Sequence, residues 1–278
     1  MKLRQALRLL LWTVLTPLAL LLGCQSNLIY HPRAYRAGEV ESFTAWGGHR
    51  IDFISRLGAQ TAFFVPPRAA KSPRMIWVAF GGNAALALDW RPFVEKANHH
   101  DGFLLVDYPG YGLCAGRPNP GRIREQARLA VEALRAESPM YTDVPLAVLG
   151  HSLGCAAALM LAEDLQMNRV LLISPFTSLV EMGNHAFFPP LGHLATHRFD
   201  NVRALSNLCR HQPHVVLVHG ERDTIIPASM SDRLALACPD RVQVERIPDA
   251  GHNDILDAAP LIIERLSELS AKIEQPHP

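Results

Sequence analysis

The chain has no excess of either charge. Its 27 Lys and Arg stand against 26 Asp and Glu, which leaves no basic footprint for a nucleic-acid partner. Internal repeats and low-complexity tracts are absent, which excludes a repeat array. Charged residues are few at 19% and apolar ones reach 49%, a balance that excludes disorder and supplies a full core. There are five cysteines but no CxxC and no Cys/His pair at metal-ligand spacing, so no metal and no cofactor is implied. The 13 histidines do not alter this. The one HxxxH spacing worth weighing, His193 with His197, lies in an irregular stretch. What remains is a 278-residue chain suited to one α/β domain, with two small domains as the other arrangement.

The N-terminus is organised differently. Lys2, Arg4 and Arg8 precede an apolar run from Leu9 to Leu22, which ends at Gly23-Cys24. A cationic head, an apolar middle and a small residue before the cut are the layout of a secretory signal. The run is short for a membrane span, and Pro17 interrupts it. Leu21-Leu22-Gly23-Cys24 resembles the lipobox of bacterial lipoproteins, in which the cysteine is lipidated and becomes the new N-terminus. That resemblance implies residues 1–23 as signal peptide, Cys24 as the lipid attachment site and residues 24–40 as tether and linker. It also implies a membrane partner through lipidated Cys24, in the bacterial cell envelope. With Gln25 rather than Asp after the cysteine, the outer membrane is favoured. An uncleaved anchor carrying a chance cysteine is the competing arrangement, and it too tethers the chain. Export would permit disulfides, for which Cys209 and Cys238 are the candidate pair. Cys155, in an apolar helical stretch, reads as a buried thiol.

From residue 41 onward the chain reads as a folded domain. Ser42–Ala45, Arg50–Ser55 and Thr61–Val65, separated by glycines, are predicted as antiparallel strands with tight turns. After Pro73 apolar runs alternate with helical patterns. The runs are MIWVAF (75–80), FLLVDY (103–108), PLAVLG (145–150), RVLLIS (169–174), HVVLVHG (214–220) and RVQVERI (241–247). Helical patterns fall near 89–99, 120–137, 152–165, 228–237 and 255–273. Strands this apolar suit a parallel sheet buried on both faces, and the alternation implies helices on both sides. Residues 175–212 break the rhythm and are expected to rise above the sheet as a small lid.

In open α/β sheets, sites form beyond the carboxyl ends of strands. Gly150-His151-Ser152-Leu153-Gly154 follows one strand run and opens an Ala-rich helix. Its spaced glycines permit the sharp turn that aims a serine hydroxyl upward. A serine needs a base, and the base an orienting acid. Asp223 follows the next-to-last strand run and His252 the last, in the order Ser, Asp, His. Glu221, Asp249 and Asp107 are rival acids. Asn253 and Asp254 read as caps for the final helix, and His151 as a shaper of the turn.

With these motifs in place, the chain resembles the α/β-hydrolase-fold serine hydrolases, within them the Bem46-like group. The resemblance spans roughly residues 40–270 and rests on FGGNA (80–84), DYPGYGLCAGRPN (107–119), GHSLG (150–154), SPFTSL (174–179), VHGERDTIIP (218–227) and AGHND (250–254). It implies a mostly parallel central sheet, helices on both faces and a small lid. It further implies a Ser152–His252–Asp223 triad acting through an acyl-enzyme, with the backbone N–H groups of Asn83 and Leu153 as oxyanion hole. Gly81 departs from the histidine common there. Tyr108 or Tyr111 would line the pocket wall, and Phe176, Phe187, Phe188 and Leu191 the lid. The substrate implied is a small acyl ester, thioester or lipid-like ester, with an acylated protein such as a palmitate-bearing one also open. An acyltransferase or other non-hydrolytic triad enzyme, and a non-catalytic envelope-binding lipoprotein, are the alternatives.

Overall fold

The structure, a computed structural model, describes residues 5, 11–16, 25–97, 100–186, 189 and 191–271. Cys24, Phe187 and Phe188 lie outside the described residues, as do most of residues 1–23. Among the described residues no helix is long and apolar enough to cross a membrane.

Eight strands form one sheet: β1 (His49–Ser55), β2 (Gly58–Val65), β3 (Ile76–Phe80), β4 (Gly102–Val106), β5 (Leu146–His151), β6 (Arg169–Ile173), β7 (His214–Gly220) and β8 (Val242–Ile247). Their order is β1-β2-β4-β3-β5-β6-β7-β8. The β1–β2 and β2–β4 pairs are antiparallel, and every other pair is parallel. The described helices are α1 (Gln25–Ile29), α2 (Glu39–Ala45), α3 (Arg91–Lys96), α4 (Pro120–Glu137), α5 (Leu153–Leu165), α6 (Leu179–Ala186), α7 (Asn201–Cys209), α8 (Ser229–Ala235) and α9 (Ala259–Ala271).

Burial explains why β3 to β7 read as continuous apolar runs. Every residue of β3, β4 and β6 is buried, because helices cover both faces. Val78, Leu104, Val148 and Leu172 pack on one side with Ala127 and Val131 of α4 and Leu159 of α5. Trp77, Ala79, Leu105 and Leu149 face the other side, against Phe93 of α3 and Ile262 and Leu266 of α9. Truncating one such leucine costs about 2–5 kcal/mol.

Ser42–Ala45 is helical rather than extended. Gly38 takes a left-handed φ of 85° to start α2, and Glu39 and Glu41 fall in its first turn, where carboxylates favour the helix dipole. Only Phe43 is buried in that helix, so the sequence carries a single anchor and no 3.6-residue period. Within 175–212 the chain leaves the domain through a narrow neck. Ser178 bridges Asp200, the Leu179 N–H donates to the Phe199 carbonyl at 2.9 Å, and the Asn201 N–H to the Thr177 carbonyl at 2.9 Å. Residues between these points form the excursion. Beyond it, α7 buries Leu205 and Leu208 in the core with α5. The Cys209–Cys238 disulfide then joins the end of α7 to the turn after α8, across a Cα–Cα distance of 5.7 Å.

Candidate active site

Ser152 stands at the turn between β5 and α5 with φ 54° and ψ −117°, a left-handed backbone that costs energy for a non-glycine residue. Its N–H is held by the Ile173 carbonyl at 2.9 Å. Close packing makes room for the turn only because its flanks are glycines. A Cβ on Gly154 would stand 2.2 Å from the Phe80 carbonyl oxygen, and one on Gly150 would stand 2.5 Å from the Gly154 carbonyl oxygen.

From this turn a hydrogen-bonded row runs across the strand ends. The Ser152 Oγ is 3.0 Å from His252 Nε2, and His252 Nδ1 is 2.7 Å from Asp223 Oδ2. His252 and Asp223 are both buried. The rival acids lie elsewhere. Glu221 is exposed, Asp249 pairs with exposed Arg222, and Asp107 is occupied by the Tyr35 hydroxyl and the Ala87 N–H. Burial works against ionising Asp223. Hydrogen bonds from His219, His252 and the Ile226 N–H outweigh it and hold the carboxyl well below the usual range.

His219 is a member of this row that sequence reasoning passed over. It is fully buried. Its Nε2 lies 3.0 Å from the Ile226 carbonyl and 3.3 Å from Asp223 Oδ2, while Nδ1 lies 2.7 Å from the Ser231 hydroxyl. A neutral ring with the proton on Nε2 satisfies all three: it donates to Ile226 and Asp223 and accepts from Ser231. The sequence signal was a histidine after the apolar run Val215–Val218, four residues before the acid.

His151 braces the base. Its Nε2 sits 3.2 Å from the His252 carbonyl, and the two rings are 5.2 Å apart. Burial, and then the neighbouring His252 charge, push its pKa down to about 4, so it is neutral near pH 7 and donates to that carbonyl. Asp254 accepts the Gly251 N–H at 2.6 Å. It therefore braces the His252 loop instead of capping α9, which begins at Ala259.

The loop after β3 lies beside the serine. A Cβ on Gly82 would stand 3.4 Å from Ser152 Cβ and 3.1 Å from His151 Nδ1. At Gly81, where histidine resembled the norm, a Cβ would meet Ala85 Cβ at 2.9 Å; this tight turn leaves no room for a side chain. Leu153 is the first residue of α5 and its N–H has no acceptor within the helix. The Asn83 N–H finds no acceptor among the described residues. Tyr108 and Tyr111 are both buried, and their hydroxyls donate to the Gly81 carbonyl and to Asn83 Oδ1. Phe176 packs in the core.

A cleft of about 420 Å³ opens between α6 and the start of α8, lined by Glu181, Asn184, His185, Pro227, Met230 and Arg233 among others. Cys155, below the turn, is fully buried, and burial pushes its thiol well above the usual range. Among the described residues no group of three or more His, Cys, Asp or Glu converges at metal-binding distance.

Comparison with known proteins agrees with this topology. Residues 76–208 match the family model described as "Alpha/beta hydrolase family". Uncharacterized protein Rv2307c of Mycobacterium tuberculosis is 36% identical over 152 residues, 54% of this chain and 53% of its own. Alpha/beta hydrolase domain-containing protein 17C of Homo sapiens is 28% identical over 149 residues, 54% of this chain and 43% of its own. The chain thus spans about half the length of the curated relatives it matches. Among solved structures, the Pyrococcus furiosus esterase Pf2001 superposes with a TM-score of 0.69 at 14% identity, over 88% of this chain and 98% of that one. A Xanthomonas campestris protein described as an α/β serine hydrolase without lid gives 0.58 at 13% identity, over 85% and 97%. An eight-stranded sheet in this order, a serine turn after β5 and these matches together make the chain a protein of the α/β-hydrolase fold.

Proposed function

We propose that the protein is a membrane-tethered serine hydrolase that opens an acyl ester or thioester through an acyl-enzyme. The observation that carries this reading is the row Ser152 Oγ, His252, Asp223, with spacings of 3.0 and 2.7 Å. Ser152 Oγ attacks the acyl carbon as its proton passes to His252 Nε2. His252 then gives that proton to the departing alkoxide or thiolate. Water repeats the sequence on the acyl-enzyme, releasing the acid and restoring Ser152. Asp223 holds His252 with its proton on Nδ1. The N–H groups of Asn83 and Leu153 face the developing oxyanion, each contributing on the order of 3 kcal/mol.

The tether rests on the cationic head, the apolar run and Cys24. The Cys209–Cys238 bridge suits an oxidising compartment such as the envelope. Lipid attachment is adequate physically, since each buried methylene contributes about 0.8 kcal/mol. A fluorophosphonate probe tests the enzyme: wild type should label and Ser152→Ala should not. Equal labelling of both, or none of wild type, sinks the proposal. A panel of p-nitrophenyl esters of rising chain length, with thioesters and amides, then assigns the bond. For the tether, Cys24→Ser should abolish lipid labelling; unchanged processing and labelling would refute it.

A further inference from the structure

We propose that residues 25–36 are a positioning strap for the oxyanion loop, acting through the side chain of Asn83. The proposal rests on the serine-hydrolase reading, in which the Asn83 N–H serves the oxyanion.

The Asn83 side chain is clamped from several directions although the residue is exposed. Its Oδ1 accepts the His31 N–H at 3.0 Å, the Tyr111 hydroxyl at 3.0 Å and the Ala84 N–H at 3.1 Å. Its Nδ2 donates to the Ile29 carbonyl at 2.6 Å. Two of these four partners come from the strap. The strap grips the far end of the same loop as well. Tyr35 donates to Asp107 Oδ2 at 2.6 Å, and Asp107 Oδ1 accepts the Ala87 N–H at 2.8 Å. Arg33 pairs with Asp89, which accepts the Leu86 N–H.

A clamp works only if it is itself fixed, and this one is. Tyr30 is 2% exposed; its ring lies 5.4 Å from that of His197, and its hydroxyl 3.0 Å from His197 Nδ1. Gln25 donates to the Leu194 carbonyl at 2.6 Å and accepts from the Thr196 N–H at 2.6 Å. The Gly112 N–H donates to the Arg33 carbonyl at 2.9 Å. One segment therefore joins the excursion, the oxyanion loop and the DYPGYG turn. An oxyanion donor must sit where charge develops, and a small misplacement forfeits much of its effect. The strap supplies that fixity from outside the loop.

The test uses the full chain and a mutant cycle. Asn83→Ala keeps the backbone donor and removes the clamp. His31→Pro deletes one N–H that grips Asn83. Each should slow fluorophosphonate labelling of Ser152 and lower kcat by roughly tenfold or more, with KM and thermal midpoint little changed. Because both act through the Asn83 side chain, the double variant should be no slower than the slower single. Either single reacting at the wild-type rate, or two losses that multiply, overturns the strap. Should His31→Pro not fold, Tyr30→Phe, which keeps the ring and removes the hydroxyl that ties the strap to His197, takes its place in the cycle, with the same two outcomes. A wild-type chain that takes no label removes the hydrolase reading and the strap together. A labelled wild type with unresponsive variants removes the strap alone.

Discussion

The strand ends and the rim above them are built in contrasting ways. Ser152, Asp223 and His252 each sit within a few residues of a strand whose residues are fixed by the parallel sheet. The rim, made of residues 25–36 and the excursion after Ser178, is held by polar contacts between distant positions. His31 and Asn83 are 52 residues apart, and Gln25 and Thr196 are 171 apart. Buried strands and hydrogen bonds around His252 hold the first region. The second relies on a few hydrogen bonds, several of them exposed, each with a net worth of about 1 kcal/mol. Damage at the strand ends should therefore abolish activity, whereas damage at the rim should grade it.

The largest expected effect breaks the row itself. Ser152→Ala should lower turnover about 10⁴-fold or more, measured on the best ester, with the circular dichroism spectrum unchanged. A small loss would show that the rim, not the row, carries the chemistry. Next comes the frame beneath the row. Opening the Cys209–Cys238 bridge, which spans 29 residues, should cost about 3–4 kcal/mol of stability in urea melts by loop-closure entropy. Activity of the still-folded protein at 25 °C should stay near wild type. A matching fall in kcat would place the bridge in the site and not the frame.

His219→Leu sharpens the comparison from inside the row. It removes a donor from Asp223 and leaves the Ser231 hydroxyl unpartnered. A hydrogen bond to a charged group is worth about 1.5–3 kcal/mol, so kcat/KM should fall roughly tenfold to a hundredfold, with KM steady. Unchanged kcat/KM would make His219 a packing residue.

The smallest effect is a pH slope. His151 titrates near 4 in the folded chain against an ordinary 6.5. Between those values the unfolded chain binds more protons, so this group's contribution to stability is lost as pH falls from about 6.5 to about 4. Asp107 works in the opposite direction. Burial raises its carboxyl to about 6, against hydrogen bonds from Tyr35 and Ala87 that lower it. The folded chain then holds the extra proton, and Asp107 loses stability as pH rises from about 4 to 6. The difference between wild type and His151→Gln isolates the first slope. Parallel curves for the two proteins would remove His151 from the account.

Much of the row was legible because its signals are local. Gly150 and Gly154 frame Ser152, apolar runs mark β3 to β8, and Asp223 and His252 follow the last two. Helix α4 fell where Asn119 caps it and Ile123, Ala127, Val131 and Leu134 line one face. The short helix α2 was not legible, since Phe43 alone is buried there. Nor were the partners of Tyr108 and Tyr111 legible, since their hydroxyls reach a loop 27 and 28 residues away.

By itself, the sequence determined a two-sided apolar sheet and a serine, an acid and a histidine after three of its strands, because strand burial and tight turns are written in neighbouring residues. Only the tertiary structure decided that Asp223 and not Asp107 faces His252, that His219 shares that aspartate, and that a segment reading as linker grips Asn83. Those choices depend on which hydrogen-bonding groups folding brings within 3 Å of one another, and no pattern along the chain encodes such distances.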